Sequence, residues 1–204
     1  STPHGGGGPG SGPVAVCPAL ESYLPVPLVG RRALSAGEGA EPAGFEYFQE
    51  YDRVGSIGRI RGFSGNVGVA IRAYAYILRM GGLGLTQASE DAVLSANYLR
   101  AGLRDLYDIP YDRPNMHEFV ASAVKQKKRG VSANDVAKRI LDFGMHAPTV
   151  YFPLIVPEAL MIEPTESEDL ATLDYFIEVL RRIDQESQDS PEVVREAPLR
   201  TPVR

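Results

Sequence analysis

The chain has a single cysteine, Cys17, among its 204 residues. No internal disulfide can form, so a reducing, cytoplasmic setting is the expectation. Long apolar runs are missing too. The longest, Tyr151 to Ile162, is interrupted by Pro153, Pro157 and Glu158. That is too short to span a bilayer, and the N-terminus has no apolar core of the signal-peptide kind. Membrane partners are therefore not expected. Nor is positive charge in excess: the net charge is −5. A dedicated nucleic-acid binder would carry a basic footprint. The one basic run, Lys125 to Arg129, reads as a solvated loop. No internal repeat is found.

Glycine, in contrast, is concentrated. From Pro3 to Pro13 the chain reads PHGGGGPGSGP, six glycines in eleven residues. Such density costs backbone entropy on folding and exposes backbone N–H groups that suit anions. Two familiar phosphate motifs fail. A Walker A loop needs a Gly-Lys-Ser/Thr ending, and no lysine follows. The G-x-G-x-x-G spacing does occur at Gly5, Gly7 and Gly10. A dinucleotide loop leads into a helix, however, whereas Val14-Ala15-Val16 reads as a short strand. A nucleotide-binding module is thereby disfavoured. The chain also starts at Ser1, without methionine, close to this loop. That start predicts a fragment.

Periodicity gives the rest of the outline. Leu28 onward reads as a second short strand, and Ser35 to Pro42 as a polar surface loop. Val67, Ile71, Tyr74 and Leu78 define an amphipathic helix from Val67 to Met80, ended by Gly81-Gly82. A second helix is expected from Gly84 to Tyr107. A strand follows from His117 to Val124, then a helix from Ser132 to Phe143 with Gly144 as its cap. Thr149–Phe152 and Ala159–Ile162 read as strands. Thr165-x-x-Glu168 fits a capping box opening a last helix to Gln188. The proline-containing tail from Ser190 is expected to be loosely ordered. Tyr74, Tyr76 and Tyr98 read as core. The order implies an α+β domain with helices on one face of a small, largely antiparallel sheet.

Candidate site residues fall in three places. His4 is the one titratable side chain in the glycine loop; it could move a proton near neutral pH or only shape the loop. Ser56, Arg59, Arg61, Ser64 and Asn66 precede a helix start. An arginine pair and a helix N-terminus favour an anion, and the two arginines cannot be ranked. His117-Glu118 could be a structural pair or line a site. Glu163 to Glu168 reads as a strand end and helix cap.

Five separated stretches resemble one family in order: STPHGGGGPGSGPV at 1–14, SIGRIRGFSGNVGV at 56–69, YDRPNMHEFV at 111–120, AKRILDFGMHAPTVYFPLIVPEALMIEPTESE at 137–168 and APLRTPV at 197–203. They resemble the C-terminal part of the decarboxylating glycine dehydrogenase family, subunit 2, the P-protein of the glycine cleavage system.

The resemblance implies an aspartate-aminotransferase-like (fold type I) enzyme using pyridoxal 5′-phosphate. It would decarboxylate glycine and pass the aminomethyl group to the lipoyl arm of the H-protein. It would work with subunit 1 in a heterotetramer. By this resemblance His4 is catalytic, and Gly5, Gly6, Gly7, Gly8, Ser64 and Asn66 bind cofactor. Arg59, Arg61 and His117 meet substrate or another anion. The family's Schiff-base lysine sits in a His-Lys-Thr-Phe motif immediately upstream of the matched segment. The four lysines present are Lys125, Lys127, Lys128 and Lys138, none in such a setting. The expected organisation is a glycine-rich active-site loop and connection over 1–50, a C-terminal α+β domain over 51–189 and a tail over 190–204. Such a piece should not turn over alone. The other reading is a non-catalytic assembly or substrate-channel domain.

Overall fold

The computed structural model describes residues 10–34, 44–62 and 65–201. It forms two compact units, Ser1–Tyr76 and Ile77–Arg204.

In the first unit, Val14 to Val16 form no strand. The chain stays irregular until a 3-10 turn at Pro18–Tyr23. Pro18 fixes its own φ and donates no hydrogen bond, which suits the first turn of a helix and not a ladder. The strand expected at Leu28 is present as β1 (Leu28–Ala33). Its partner, β2 (Phe45–Glu50), was not expected. The two pair antiparallel from Leu28↔Glu50 to Ala33↔Phe45. Arg32 and Glu46 face each other across the pair, joined at 2.8 Å, an opposite-charge cross-strand pair. The polar loop expected over 35–42 lies outside the described residues.

α1 spans Val67–Leu103. Two helical stretches meet within it at Gly81, whose backbone leaves helical geometry (φ 63°, ψ −178°). This is the break that sequence placed at Gly81-Gly82. A side chain rarely adopts that φ, so glycine suits the kink. Of the tyrosines read as core, Tyr74 is 65% exposed and Tyr98 39% exposed. Tyr76 is exposed as well.

The second unit holds the core. β3 (Phe119–Ser122), β4 (Thr149–Val150) and β5 (Ala159–Ile162) form an antiparallel sheet in the order β3-β5-β4. Register puts Phe119 opposite Ile162 and Ala121 opposite Leu160. These four share one sheet face. They join Ala96, Leu99 and Leu103 of α1 in a single apolar cluster. α3 (Ala133–Asp142) adds Val136 and Ile140, and α4 (Leu170–Asp189) adds Leu173, Phe176, Leu180 and Ile183. Val120 and Met161, on the other face, are only half-buried. The α+β arrangement expected from sequence is therefore observed. α1 comes so near α4 that a Cβ on Gly102 would overlap Ile177 Cδ1.

Helix α3 begins as expected. Ser132 accepts from the Asp135 N–H, and Asp135 accepts from the Ser132 N–H at 2.9 Å, a reciprocal cap. The start of α4 differs. Its cap is Asp169, which accepts from the Thr172 N–H at 2.8 Å. Thr165 pairs with Ser167 instead.

Two stretches expected to be loose are tied down. The basic run contains a helical turn, α2 (Val124–Lys127). Gln126 is fully buried there and donates to Asp184 at 2.6 Å, and Arg129 donates to the same carboxylate at 2.8 Å. The tail forms α5 (Pro191–Arg195), with Val194 and Ala197 buried. Beyond it, the Leu199 and Arg200 N–H groups both donate to Asp142 at 2.7 Å. Asp142 in turn takes a hydrogen bond from Arg139, which also grips Glu186 with two. Burial pushes the Asp142 carboxyl up, but these donors outweigh it and hold the carboxyl below the ordinary range. The same balance, between burial and the arginines, lowers Glu186.

Candidate functional site

The segment from Asp52 to Gly62 is a polar loop folded against the 3-10 turn and the start of β1. Ser56 Oγ donates to the Leu24 carbonyl at 2.7 Å and accepts from the Gly58 N–H. Val26 and Ile57 exchange backbone bonds with Gly58 and Tyr23 across the same seam. Arg53 ties the loop to Glu21 at 2.8 Å. Glycine and serine thus let the loop lie flat on its neighbour.

This packing frames a groove of about 760 Å³. Val14, Val16, Leu20, Tyr23 and Ile60 give it apolar walls, and Arg61 is the one charged lining residue among the described residues. Arg61 Nη2 donates to the Pro27 carbonyl at 2.9 Å. Its Nε is buried without an acceptor among the described residues. A buried donor left unpaired is costly, and a guanidinium edge suits a carboxylate or phosphate. Arg59 is not part of this lining. It donates to the carbonyls of Arg61 and Gly62, and so braces the loop. The structure therefore separates the two arginines that sequence left equal.

Asn66 is the side-chain cap of α1, accepting from the Val69 N–H at 3.4 Å. The helix N-terminus behind it carries partial positive charge. His4, Gly5, Gly6, Gly7, Gly8 and Ser64 lie outside the described residues.

His117 belongs to the second unit. Its Nε2 is 3.7 Å from Glu163 and 4.0 Å from Glu118. Sequence reasoning treated Glu163 as a strand end; its nearness to His117 comes from the β3–β5 register, which no local pattern announces. A cleft of about 230 Å³ opens beside Glu163, floored by Leu99, Ile162 and Phe176 and rimmed by His146 and Glu168. Lys127 is paired with Glu158 at 3.3 Å and Lys125 reaches the Asp105 carbonyl. All four lysines lie in this second unit, and none lies in the unit with the groove.

The sequence profile of the glycine dehydrogenase C-terminal domain matches residues 88–198, more than half of the chain. The chain belongs to this family. It is 53% identical over its whole length to the probable glycine dehydrogenase (decarboxylating) subunit 2 of Caldanaerobacter subterraneus subsp. tengcongensis. It is 50% identical, again over its whole length, to the protein of the same description from Chloroherpeton thalassium. In both cases it spans 40% of the relative's length. A solved structure described as glycine decarboxylase (P-protein) of the glycine cleavage system, in inhibitor-bound form, matches with a TM-score of 0.62 at 18% identity. That match covers 81% of this chain and 37% of the other. The shared fold agrees with the C-terminal α+β reading. No helix among the described residues is long and apolar enough to cross a membrane.

Proposed function

We propose that this chain contributes the C-terminal part of a glycine decarboxylase that uses pyridoxal 5′-phosphate and hands its aminomethyl product to a lipoyl-bearing H-protein, with glycine dehydrogenase subunit 1 as a further partner, in the cytoplasm. The observation that carries this reading is identity of 50% or more, along all 204 residues, to proteins described as subunit 2 of that dehydrogenase. When bound, pyridoxal phosphate supplies the electron sink into which glycine can lose its carboxylate as CO2.

The described residues suit an anionic group in the groove. Arg61 offers its guanidinium charge in the groove lining, and the α1 N-terminus at Asn66 offers oriented backbone N–H groups. Arg59 holds the Arg61 backbone in place through the carbonyl of that residue. The glycine loop would bring further N–H groups, and His4 is its candidate proton carrier. By the family resemblance, the lysine that bears the cofactor would come from outside these 204 residues.

Arg61→Gln should test this in a full-length subunit. It removes the charge and keeps a polar side chain. We expect the KM for glycine or the cofactor Kd to rise at least tenfold, with the thermal midpoint nearly unchanged. Unchanged binding of both would remove Arg61 from the site.

The second reading, an assembly domain, draws support from the apolar surface of the first unit. Val54 is 97% exposed, and Ile57, Ile60, Ile71 and Tyr74 are exposed with it. Apolar surface of this extent suits burial against further protein. The two readings are compatible, because a groove wall and a covered face can belong to one unit.

A further inference from the structure

We infer that His117, Glu118 and Glu163 form a binding site for a divalent cation of the zinc class. The inference rests on these three side chains and not on the proposed activity.

Their ligand atoms lie within 4.8 Å of one another. Strand register brings them together. Phe119 pairs with Ile162 at the last rung of the β3–β5 ladder. Glu118 and Glu163 are the next residues out on the two strands. Like charges set opposite each other on antiparallel strands repel, and a cation between them offsets that cost. The imidazole of His117 completes the group from the adjoining position, so the donors are one nitrogen and two carboxylates.

The backbone beneath the site is fixed in advance. Asn97, on α1, donates to the Asn115 carbonyl at 2.8 Å and accepts from the Asn115 N–H at 3.2 Å. Asn115 then donates to the carbonyls of Met116 and Glu118 at 2.8 and 2.9 Å. His117 sits between those two anchored residues, so ligation would order side chains only. The side chains are reachable from solvent, with 50%, 42% and 24% of His117, Glu118 and Glu163 exposed.

The donor set selects the metal. Zinc accepts histidine nitrogen and carboxylate oxygen at roughly 2.0–2.2 Å, commonly with three protein ligands and a water. Mg2+ and Ca2+ prefer oxygen throughout. Tetrahedral zinc would place its ligands roughly 3.4 Å apart. The separations, at most 4.8 Å, therefore need to contract by up to roughly 1.4 Å, within reach of side-chain rotation. A bound ion would join residues 117–118 to residue 163 beside the Glu163-lined cleft. It would also stabilise the fold by linkage.

The test is calorimetric titration of ZnCl2 into the full chain carrying Cys17→Ser, which removes the exposed thiol as a competing ligand. One saturable site is expected, with a rise in thermal midpoint at saturation. His117→Ala and Glu163→Gln should each weaken binding at least tenfold and abolish that rise. His146→Ala should leave both intact. MgCl2 should give neither signal. Far-UV circular dichroism without metal checks that each variant is folded. Should His117→Ala or Glu163→Gln fail that check, Glu118→Gln, at a more exposed carboxylate, provides the same readout. Absence of saturable Zn2+ binding would overturn the inference. So would binding that survives in the folded variants, or equal binding of Mg2+.

Discussion

Residues 77–204 bury Leu103, Tyr107, Ile140, Leu160 and Ile183 almost without remainder, while in the described part of residues 1–76 only Val26 and Pro27 are buried. Apolar content does not separate the two units; what covers the apolar side chains does. In the second unit, helices and sheet supply each other's cover. In the first, Val29, Phe45 and Tyr47 of the hairpin and Val67, Ile71 and Tyr74 of α1 are exposed. The chain spans 40% of the length of the relatives it matches. A segment can thus carry a full core in one part and leave apolar side chains exposed in another.

Substitutions can break or sharpen that contrast. The largest loss should follow Arg139→Ala. It leaves Asp142 and Glu186 buried or half-buried without their shared guanidinium and should cost about 3–5 kcal/mol, measured by urea denaturation of the second unit's signal. Leu160→Ala, at a fully buried strand position, should cost about 2–5 kcal/mol in the same assay. Gly102→Val presses a branched side chain onto Ile177 and should cost about 1–3 kcal/mol. At the bottom of the scale, Val54→Ser should change stability by less than about 0.5 kcal/mol. A large effect at Val54 would mean that this side chain is covered in solution.

Acid should act on the second unit first. Asp142 and Glu186 have lowered pKa values in the folded state. Their stabilisation is complete above the ordinary carboxylate pKa of about 4. It is lost as pH falls through the lowered folded values. Far-UV melts from pH 6 down to pH 2 should show this loss, and Asp142→Asn should flatten it. An unchanged acid limb in that variant would remove Asp142 from the account.

Much of the second unit was legible in sequence, because its helices carry apolar periods and its strands are short apolar runs between turn residues. β5 came out with its observed bounds. Misreadings arose where two local signals competed. Thr165-x-x-Glu168 and Asp169 both offer a cap, and the apolar period of Leu173, Phe176 and Ile177 selects Asp169. The tail looked loose because its order comes from Asp142, more than fifty residues away. β2 was missed because FEYFQE shows its strand character only when paired with β1. At the site, residue type pointed to Arg59 and Arg61 together. Only the fold shows that one braces the loop while the other lines the groove. The His117–Glu163 pairing is likewise a product of register.

The most direct test is borohydride trapping of pyridoxal phosphate, read by intact mass. The chain described here should gain no stoichiometric adduct, whereas a full-length subunit should gain one, on a lysine outside these 204 residues. An adduct mapped to Lys125, Lys127, Lys128 or Lys138 of this chain would contradict the proposal that the cofactor-bearing lysine lies outside these 204 residues.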